Sequence, residues 1–373
     1  MERKEVLKKI FTVNLGAGRD ETVLVFTDIV NGQGQGHAAE EGRREALRRI
    51  AKETADAGKE FCSTVYHEFP SVAGHGMEPP EELWAVAFGD AAVEELKGRN
   101  LLEKIITKHA TDEQRRETEL IIKKLGVCPD GVVALSNYST SHTRFRDFLT
   151  RCMGARYASM PLFDEPMLSG AMSADWKKVE ARTNHVIERM SGGDMIYVTS
   201  HNGTSISFSM KGRAVQPDTG ILTAAGSFGN LPAGEAFLAP VEGTAEGTMI
   251  LEYAPTGKLA HPIELQVAKG RAVKVLGSGG FAEDLRRRIA DNPLVGNIAE
   301  LGIGTNDKAS RPDNILETEK ILGTVHIALG DNSSFGGKVS VPFHEDFIFF
   351  RPTLEVFKDG AKREIIIEGT PHF

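Results

Sequence analysis

Several features are scarce in this sequence, and each absence excludes a class of protein. The 373 residues include three cysteines, Cys62, Cys128 and Cys152, which are widely separated and form no C-x-x-C pair, so no disulfide framework is predicted. No stretch approaches the roughly 20 apolar residues of a membrane span, and the first residues lack the long apolar core of a signal peptide. The net charge is −8, and the longest basic cluster is only "LRRRI" (285–289). We therefore expect a cytoplasmic protein with no membrane or nucleic-acid partner.

Common catalytic motifs are also missing. There is no G-x-S-x-G elbow, the commonest cue for a serine hydrolase, and no HExxH helix of a zinc protease. The segment "NGQGQGH" (31–37) lies between a predicted strand and a predicted helix, as a phosphate-binding loop would. It lacks both the G-x-G-x-x-G spacing and a Walker lysine, so a plain connecting loop is the favoured interpretation. A non-enzymatic metal- or nucleotide-binding protein that uses this segment stays open as an alternative.

The pattern of apolar residues changes part-way along the chain. In the first part, apolar runs such as "TVLVFTD" (22–28) alternate with amphipathic helices, which predicts an α/β domain with a parallel sheet. Later, short strands punctuated by Gly and Pro predominate, such as "GTMILEYA" (247–254). We predict an α/β domain over residues 1–205 and a C-terminal α+β domain, mainly of antiparallel strands, over residues 206–373.

Ionisable residues in the C-terminal half fall where the apolar pattern predicts burial. They lie in runs such as "GNIAELGIG" (296–304), "GTVHIALG" (323–330) and "VPFHEDFIFF" (341–350). An isolated buried charge is costly, and a divalent cation removes that cost because carboxylates and neutral imidazoles are its natural ligands. The residues that we predict as ligands of one or two divalent metal ions are Glu235, Glu300, His326, His344 and Asp346.

Strand geometry supports this prediction in the last of these runs. Residues two apart on a strand project from the same face. His344 and Asp346 should therefore point together, while Glu345 points to the other face. An H-x-D pair on a strand can hold one metal ion between its two side chains.

Four segments in the C-terminal half resemble a known family. "NLPAGEAFLAPVEGTAEG", "NIAELGIGTN", "ILGTVHIALGDNSSFGG" and "HEDFIFFRPTLEVFKDG" occur in this order over roughly residues 225–360. Together they resemble the M29 peptidases, the thermophilic-type metallo-aminopeptidases. The resemblance implies two divalent ions (Zn, Co or Mn) held by the five residues named above, and a homodimer.

The resemblance implies an aminopeptidase that removes N-terminal residues from a peptide substrate by metal-activated water. Such a reaction needs a carboxylate outside the metal ligands to shuttle a proton. Glu242 and Glu246, in "APVEGTAEGT" just after Glu235, are the nearest candidates for this catalytic role. The alternative for both is an exposed Gly-rich loop.

The sequence departs from the family pattern in two places. Ser333 stands seven residues past His326, where the resemblance expects a tyrosine ligand, and the usual Asp-Glu-Asn-Ala run before the histidine reads "ETEKILGT" (317–324). The M29 fold also resembles that of ring-cleaving dihydroxypyridine dioxygenases, which hold a single iron with fewer ligands. Two carboxylates and the extra histidine favour the two-metal hydrolase. The iron dioxygenase is the alternative.

Overall fold

Two patterns of strand pairing, one parallel and one antiparallel, organise the chain. The computed structural model describes residues 2–30, 38–72, 74–254 and 257–373. They form two units: one contains the described residues up to Ser173 together with Gly220–Pro232, and the other contains Ala174–Thr219 and Ala233–Phe373. Within the described ranges, none of the helices combines the length and the apolar character needed to cross a membrane.

The elements are numbered along the chain. The strands are β1 (Thr22–Ile29), β2 (Ser63–Pro70), β3 (Gly131–Ala134), β4 (Arg156–Ser159), β5 (Met195–Ser200), β6 (Ser205–Ser209), β7 (Gln216–Asp218), β8 (Phe228–Asn230), β9 (Glu235–Leu238), β10 (Glu246–Ala254), β11 (Gly257–Ala268), β12 (Arg271–Leu276), β13 (Ile298–Gly304), β14 (Val325–Gly330), β15 (His344–Phe349), β16 (Pro352–Lys358), β17 (Ala361–Ile367) and β18 (Thr370–Pro371). The α-helices are α1 (Arg3–Lys9), α2 (Ala38–Gly58), α3 (Glu81–Phe88), α4 (Asp90–Gly98), α5 (Leu102–Ile106), α6 (Asp112–Leu125), α7 (Arg144–Asp147), α8 (Pro166–Ser169), α9 (Trp176–Met190), α10 (Gly280–Asp291) and α11 (Ile315–Thr318). Short π-helical segments (Ile10–Leu15 and Phe148–Cys152) and 3-10 turns (Ala171–Ser173 and Pro293–Gly296) complete the set.

The first unit contains a parallel sheet with the strand order β2-β1-β3-β4-β8. The apolar run predicted as its first strand forms β1, whose interior positions are all buried. Local sequence also sets the helix ends. Helix α6 begins at a capping box, in which Thr111 and Gln114 bond to each other's backbone N–H groups.

The second unit contains two antiparallel sheets. The larger has the order β12-β11-β10-β6-β5-β16-β17-β18, and the smaller has the order β15-β14-β13-β9-β7. Alternation of polar and apolar residues gives these strands one face for the core. The predicted fold class, a parallel α/β half followed by a mainly antiparallel half, is confirmed.

Both sheets of the second unit contribute to one apolar core. On the smaller sheet, Leu301 and Ile303 face this core, while Gly302 between them faces the opposite side. Every residue of β13 and β14 is buried, so the opposite face of these strands is also covered. Fully buried core members include Phe208, Met249, Leu265, Leu301, Ile327 and Phe347.

Leu301→Ala is expected to lower the free energy of unfolding by about 2–5 kcal/mol, because it leaves a cavity in the core. Leu301 is completely buried and is paired with Ile327 on one side and Leu238 on the other. Urea unfolding followed by circular dichroism measures the loss. Val273→Ala, at a side chain that is 62% exposed, is the control and should change stability by about 0.5 kcal/mol or less. Equal small losses in the two variants would contradict this core.

Candidate metal centre

The face of the smaller sheet that lies opposite the core collects the predicted ligands. Glu300 on β13 and Asp346 on β15 are both paired with Ala328 on the intervening strand β14. Directly paired residues of antiparallel strands share a face. His326 lies two residues before Ala328, and His344 lies two residues before Asp346, so both imidazoles project from that face as well.

Glu300 and Glu235 reach this face through the local geometry of their strands. A β-bulge between Ile298 and Glu300 shifts the pairing of β13 with β14, and a bulge re-aims the side chains around it. Glu235 begins β9 and is paired with Gly304 at the end of β13. Five side chains from four separate segments of the sequence therefore meet on one face of four neighbouring strands.

The ligand atoms are spaced as around a cation. His326 Nε2 lies 3.3 Å from Glu235 Oε2 and 3.5 Å from Glu300 Oε1. His344 Nε2 lies 3.4 Å from Glu300 Oε2 and 3.5 Å from Asp346 Oδ2. Atoms that each bind one ion at about 2.0–2.2 Å are about 3–4 Å apart. Two overlapping triplets have suitable spacing: Glu235–Glu300–His326 and Glu300–His344–Asp346.

Some of these buried atoms have no hydrogen-bond partner. Within the described part of the chain, Glu235 Oε2 and Asp346 Oδ1 accept no hydrogen bond, although their side chains are only 8% and 13% exposed. Unsatisfied buried polar atoms cost free energy. A cation among the carboxylates and the imidazoles would offset this cost, and these donor types fit a divalent metal ion.

The metal-free cluster holds protons where a metal would bind. Burial by itself would lower the pKa of His326, but the nearby carboxylates, Glu300 foremost, raise it to about 9. The carboxylates of Asp346 and Glu300 likewise raise the pKa of His344 well above its usual value, against the effect of burial. Burial would raise the pKa of Asp346, but the imidazoles lower it. A metal ion must therefore displace protons from both histidines.

A backbone carbonyl orients His344. Its Nδ1–H donates to the carbonyl oxygen of Asp331 at 2.8 Å, which directs Nε2 towards Glu300 and Asp346. The Asp331 carboxylate in turn accepts from the Ser333 hydroxyl at 3.1 Å. Ser333, which stands where the family resemblance expects a tyrosine ligand, thus takes part in the turn that positions His344.

Gly302 makes room for His326. The two residues are directly paired on β13 and β14. A Cβ atom at position 302 would lie 2.0 Å from Cε1 and 2.1 Å from Nε2 of the imidazole, well inside van der Waals contact. Any side chain at this position would displace the ring from the cluster.

Sequence reasoning missed a buried lysine beside the cluster. Lys320 is fully buried, and its Nζ lies 2.5 Å from Glu235 Oε1 and 2.9 Å from Glu319 Oε2. Asp218 Oδ2 is 3.7 Å away. Burial would lower the pKa of Lys320, but Glu235 and the other carboxylates raise it well above its usual value, so the ammonium stays charged. The sequence signal was the charged run "ETEKILGT", which does not specify the partners of its lysine.

Glu242 and Glu246, predicted as proton shuttles, have other partners. Glu242 accepts from the backbone N–H of Lys338 at 2.7 Å and from Asn332 Nδ2 at 3.2 Å, and it forms an ion pair with Arg213. Glu246 accepts from a backbone N–H in the turn between β11 and β12. In the residues that the structure describes, neither carboxylate has an ion pair or hydrogen bond with the five clustered residues. Glu242 instead holds the loop between β14 and β15.

In the part of the chain that the structure describes, a narrow cavity of about 10 Å³ opens onto the cluster. This volume is about what one water molecule needs. One part of its lining is aromatic or aliphatic, and the other part is ionisable. The residues concerned are Tyr253, Pro312, Ile348, Glu319, His326 and Asp346. The segment "NGQGQGH" (31–37), considered above as a phosphate-binding loop, lies outside the described residues.

Comparison with known families bears on the two chemistries considered above. A sequence model of the NicX family, described as 2,5-dihydroxypyridine 5,6-dioxygenase, matches residues 165–370, which is more than half of the chain. The chain belongs to the NicX family. No curated protein matches this NicX family member in sequence.

Solved structures share the fold of this NicX family member. A 2,5-dihydroxypyridine dioxygenase from Pseudomonas putida KT2440 matches with a TM-score of 0.67 and 18% identity, over 99% of this chain and 96% of that chain. AmpT from Thermus thermophilus matches with a TM-score of 0.55 and 14% identity, over 100% of this chain and 99% of that chain. At these identities the two structures show the fold alone.

The predicted aminopeptidase is wrong, and so is the predicted peptide substrate. The family match is to a dioxygenase, which is an oxidoreductase acting on a small molecule and not a hydrolase. The M29 resemblance is a relation of fold, seen in the likeness to AmpT. One fold can carry different reactions on the same framework, and here a framework that suits a metal centre was interpreted as a peptidase. The proton-shuttle role of Glu242 and Glu246 was part of that reaction.

Gly302→Ala is expected to weaken metal binding about 10–100-fold, because the added Cβ displaces the ring of His326. Calorimetric titration of the metal-free protein with Mn²⁺ measures the change. Gly280→Ala is the control, because Gly280 begins helix α10 and a Cβ there meets nothing within 4 Å. Unchanged affinity in Gly302→Ala would contradict the placement of His326.

The metal-free protein is expected to lose stability as the pH rises from about 6.5 to 9. The pKa of His326 is about 9 in the folded protein and about 6.5 in an unfolded chain. Its contribution is therefore fully present below about pH 6.5 and is lost as the pH rises through 9.

Melting temperatures of the EDTA-treated protein between pH 6 and pH 9.5 test this prediction. His326→Gln should flatten the dependence, whereas His261→Gln, at an exposed histidine, should leave it unchanged. Stability that is constant or increases across this range would contradict the protonated cluster.

Proposed function

We propose that this protein is an iron-dependent dioxygenase that opens the ring of a dihydroxypyridine, with 2,5-dihydroxypyridine as the first substrate to test. One observation carries the proposal: His326, His344 and Asp346 project from one sheet face beside a small pocket. Two imidazoles and one carboxylate, with open positions, form the usual ligand set of non-haem Fe(II) oxygenases. Membership of the NicX family supports the same reaction class.

Iron(II) on these ligands would supply the redox chemistry that O₂ requires. The protein contributes rigid placement of the ligands. The Asp331 carbonyl fixes the ring of His344, and Gly302 leaves space for the ring of His326. Asp346 lies within 4.0 Å of both imidazoles, through Oδ1 to His326 and through Oδ2 to His344. Such support preorganises a metal site before substrate binds.

The chemistry of the pocket lining suits a small aromatic diol, for which the cavity of about 10 Å³ must widen. Tyr253 and Ile348 offer an aromatic and an aliphatic surface for a flat ring. The Glu319 carboxyl lines the same pocket beside His326 and Asp346, where it can accept a hydrogen bond from a substrate hydroxyl. These groups would hold the ring with its polar substituents towards the metal ligands.

Oxygen consumption tests the proposal. Protein freed of metal is loaded with Fe(II) without air, mixed with 2,5-dihydroxypyridine and supplied with O₂. One O₂ should be consumed per substrate, because a dioxygenase places both oxygen atoms in the product. Zn²⁺-loaded protein is the control and should consume none. If fully iron-loaded protein takes up no oxygen with any dihydroxypyridine isomer, the proposal is wrong.

His344→Ala is expected to lower iron affinity on the order of 100-fold or more and to abolish oxygen uptake, because it removes a metal ligand. Iron content after dialysis and the oxygen electrode measure the two effects, and circular dichroism checks the fold. His261→Ala, at an exposed histidine on β11, is the matched control and should retain both properties. Retained iron and activity in His344→Ala would exclude His344 as a ligand.

A further inference from the structure

The cluster has more ligand atoms than one metal ion needs. Its two triplets overlap at Glu300, so spacing alone would allow two ions. The triplets differ in their surroundings. Glu235, which belongs to only one of them, contacts the ammonium of Lys320. The other triplet contains Glu300, His344 and Asp346. It includes two of the three proposed iron ligands, and the third, His326, lies 4.0 Å from Asp346 Oδ1.

We propose that Lys320 is a built-in cation that takes the place of a second metal ion and limits the cluster to one. The inference rests on the proposed metal centre and adds its stoichiometry. It assigns Lys320 a positioning role, because the ammonium acts through Glu235 and not on the substrate.

The geometry of Lys320 is that of a bound cation. Its ammonium has three N–H donors and lies among carboxylates. Nζ is 2.5 Å from Glu235 Oε1 and 2.9 Å from Glu319 Oε2. An ion bound on this side of the cluster would need the same oxygens. The side chain of Lys320 is 0% exposed, so it cannot turn out into solvent to make room.

Charge repulsion also disfavours a metal ion in the triplet Glu235–Glu300–His326. An ion held by Glu235 Oε2 and His326 would sit on the carboxylate whose other oxygen already holds the ammonium. Two positive charges on the two oxygens of one buried carboxylate repel each other strongly. By contrast, within the described ranges Glu300 and Asp346 form ion pairs with histidines, which become neutral when they bind a metal.

Metal stoichiometry tests the proposal. Metal-free protein is dialysed against excess Mn²⁺, and bound metal is counted by mass spectrometry. The unchanged protein should bind one equivalent. Lys320→Met, which keeps a long unbranched side chain without the charge, should bind two. Lys308→Met is the control, because Lys308 is an exposed lysine that also lies between β13 and β14. This variant should bind one equivalent of Mn²⁺.

A second variant covers the case in which Lys320→Met does not fold, since it leaves buried carboxylates without their cation. Lys320→Met combined with Glu319→Gln removes one charge of each sign and keeps the net charge of the cluster. It too should bind two equivalents, because Glu235 is freed. Circular dichroism monitors folding in both variants.

Each outcome separates this inference from the proposed function. One equivalent in the folded Lys320 variants, or two in the unchanged protein, overturns the role of Lys320 and leaves the dioxygenase proposal standing. No bound metal in the unchanged protein overturns the metal centre on which both rest. One equivalent in the unchanged protein and two in the variants support the inference, whatever the oxygen electrode records.

Discussion

The pairing of β14 with its neighbours β13 and β15 determines which side chains meet at the metal centre. A shift of one residue in this pairing would turn the imidazole of His326 into the apolar core and bring Ile327 to the polar face. The register is held by that core, in which Leu301, Ile327 and Phe347 are aligned across the three strands. The ligand positions on one face are therefore secured by the packing of aliphatic and aromatic side chains on the other face.

The site combines this rigid framework with an electrostatic cost. Burial and repulsion between carboxylates raise the pKa values of Glu235 and Glu319, so the cluster is short of positive charge. Lys320 supplies part of that charge permanently, and protons on the histidines supply more in the metal-free protein. A metal ion would replace those protons and bind most tightly where the structure is already preorganised. Metal affinity and stability of the metal-free fold are thus linked through the same groups.

The sequence predicted the fold class and the five clustered residues because each leaves a local signal. Charged residues in apolar runs pointed to Glu300 and His326, and strand alternation aligned His344 with Asp346. The partners of Lys320 leave no such signal, because they come from three separate segments. The return of Gly220–Pro232 to the first unit leaves no local signal either, because its strand β8 has only three residues and is too short for a periodic pattern. The reaction was mistaken because ligand types alone do not distinguish a hydrolase from an oxygenase on one framework.

The two departures from the peptidase pattern are now interpretable in physical terms. Ser333 bonds to Asp331, whose carbonyl orients His344, so the position that lacks a tyrosine supports a candidate ligand instead. The run "ETEKILGT" supplies Glu319 and Lys320, which bring a fixed charge to the edge of the cluster. A two-metal hydrolase activates water between its ions, whereas a non-haem iron oxygenase with two histidines and one carboxylate uses one redox metal with open positions. If Lys320 sets the number of ions, a single buried ammonium accounts for the limit of one ion on this sheet face.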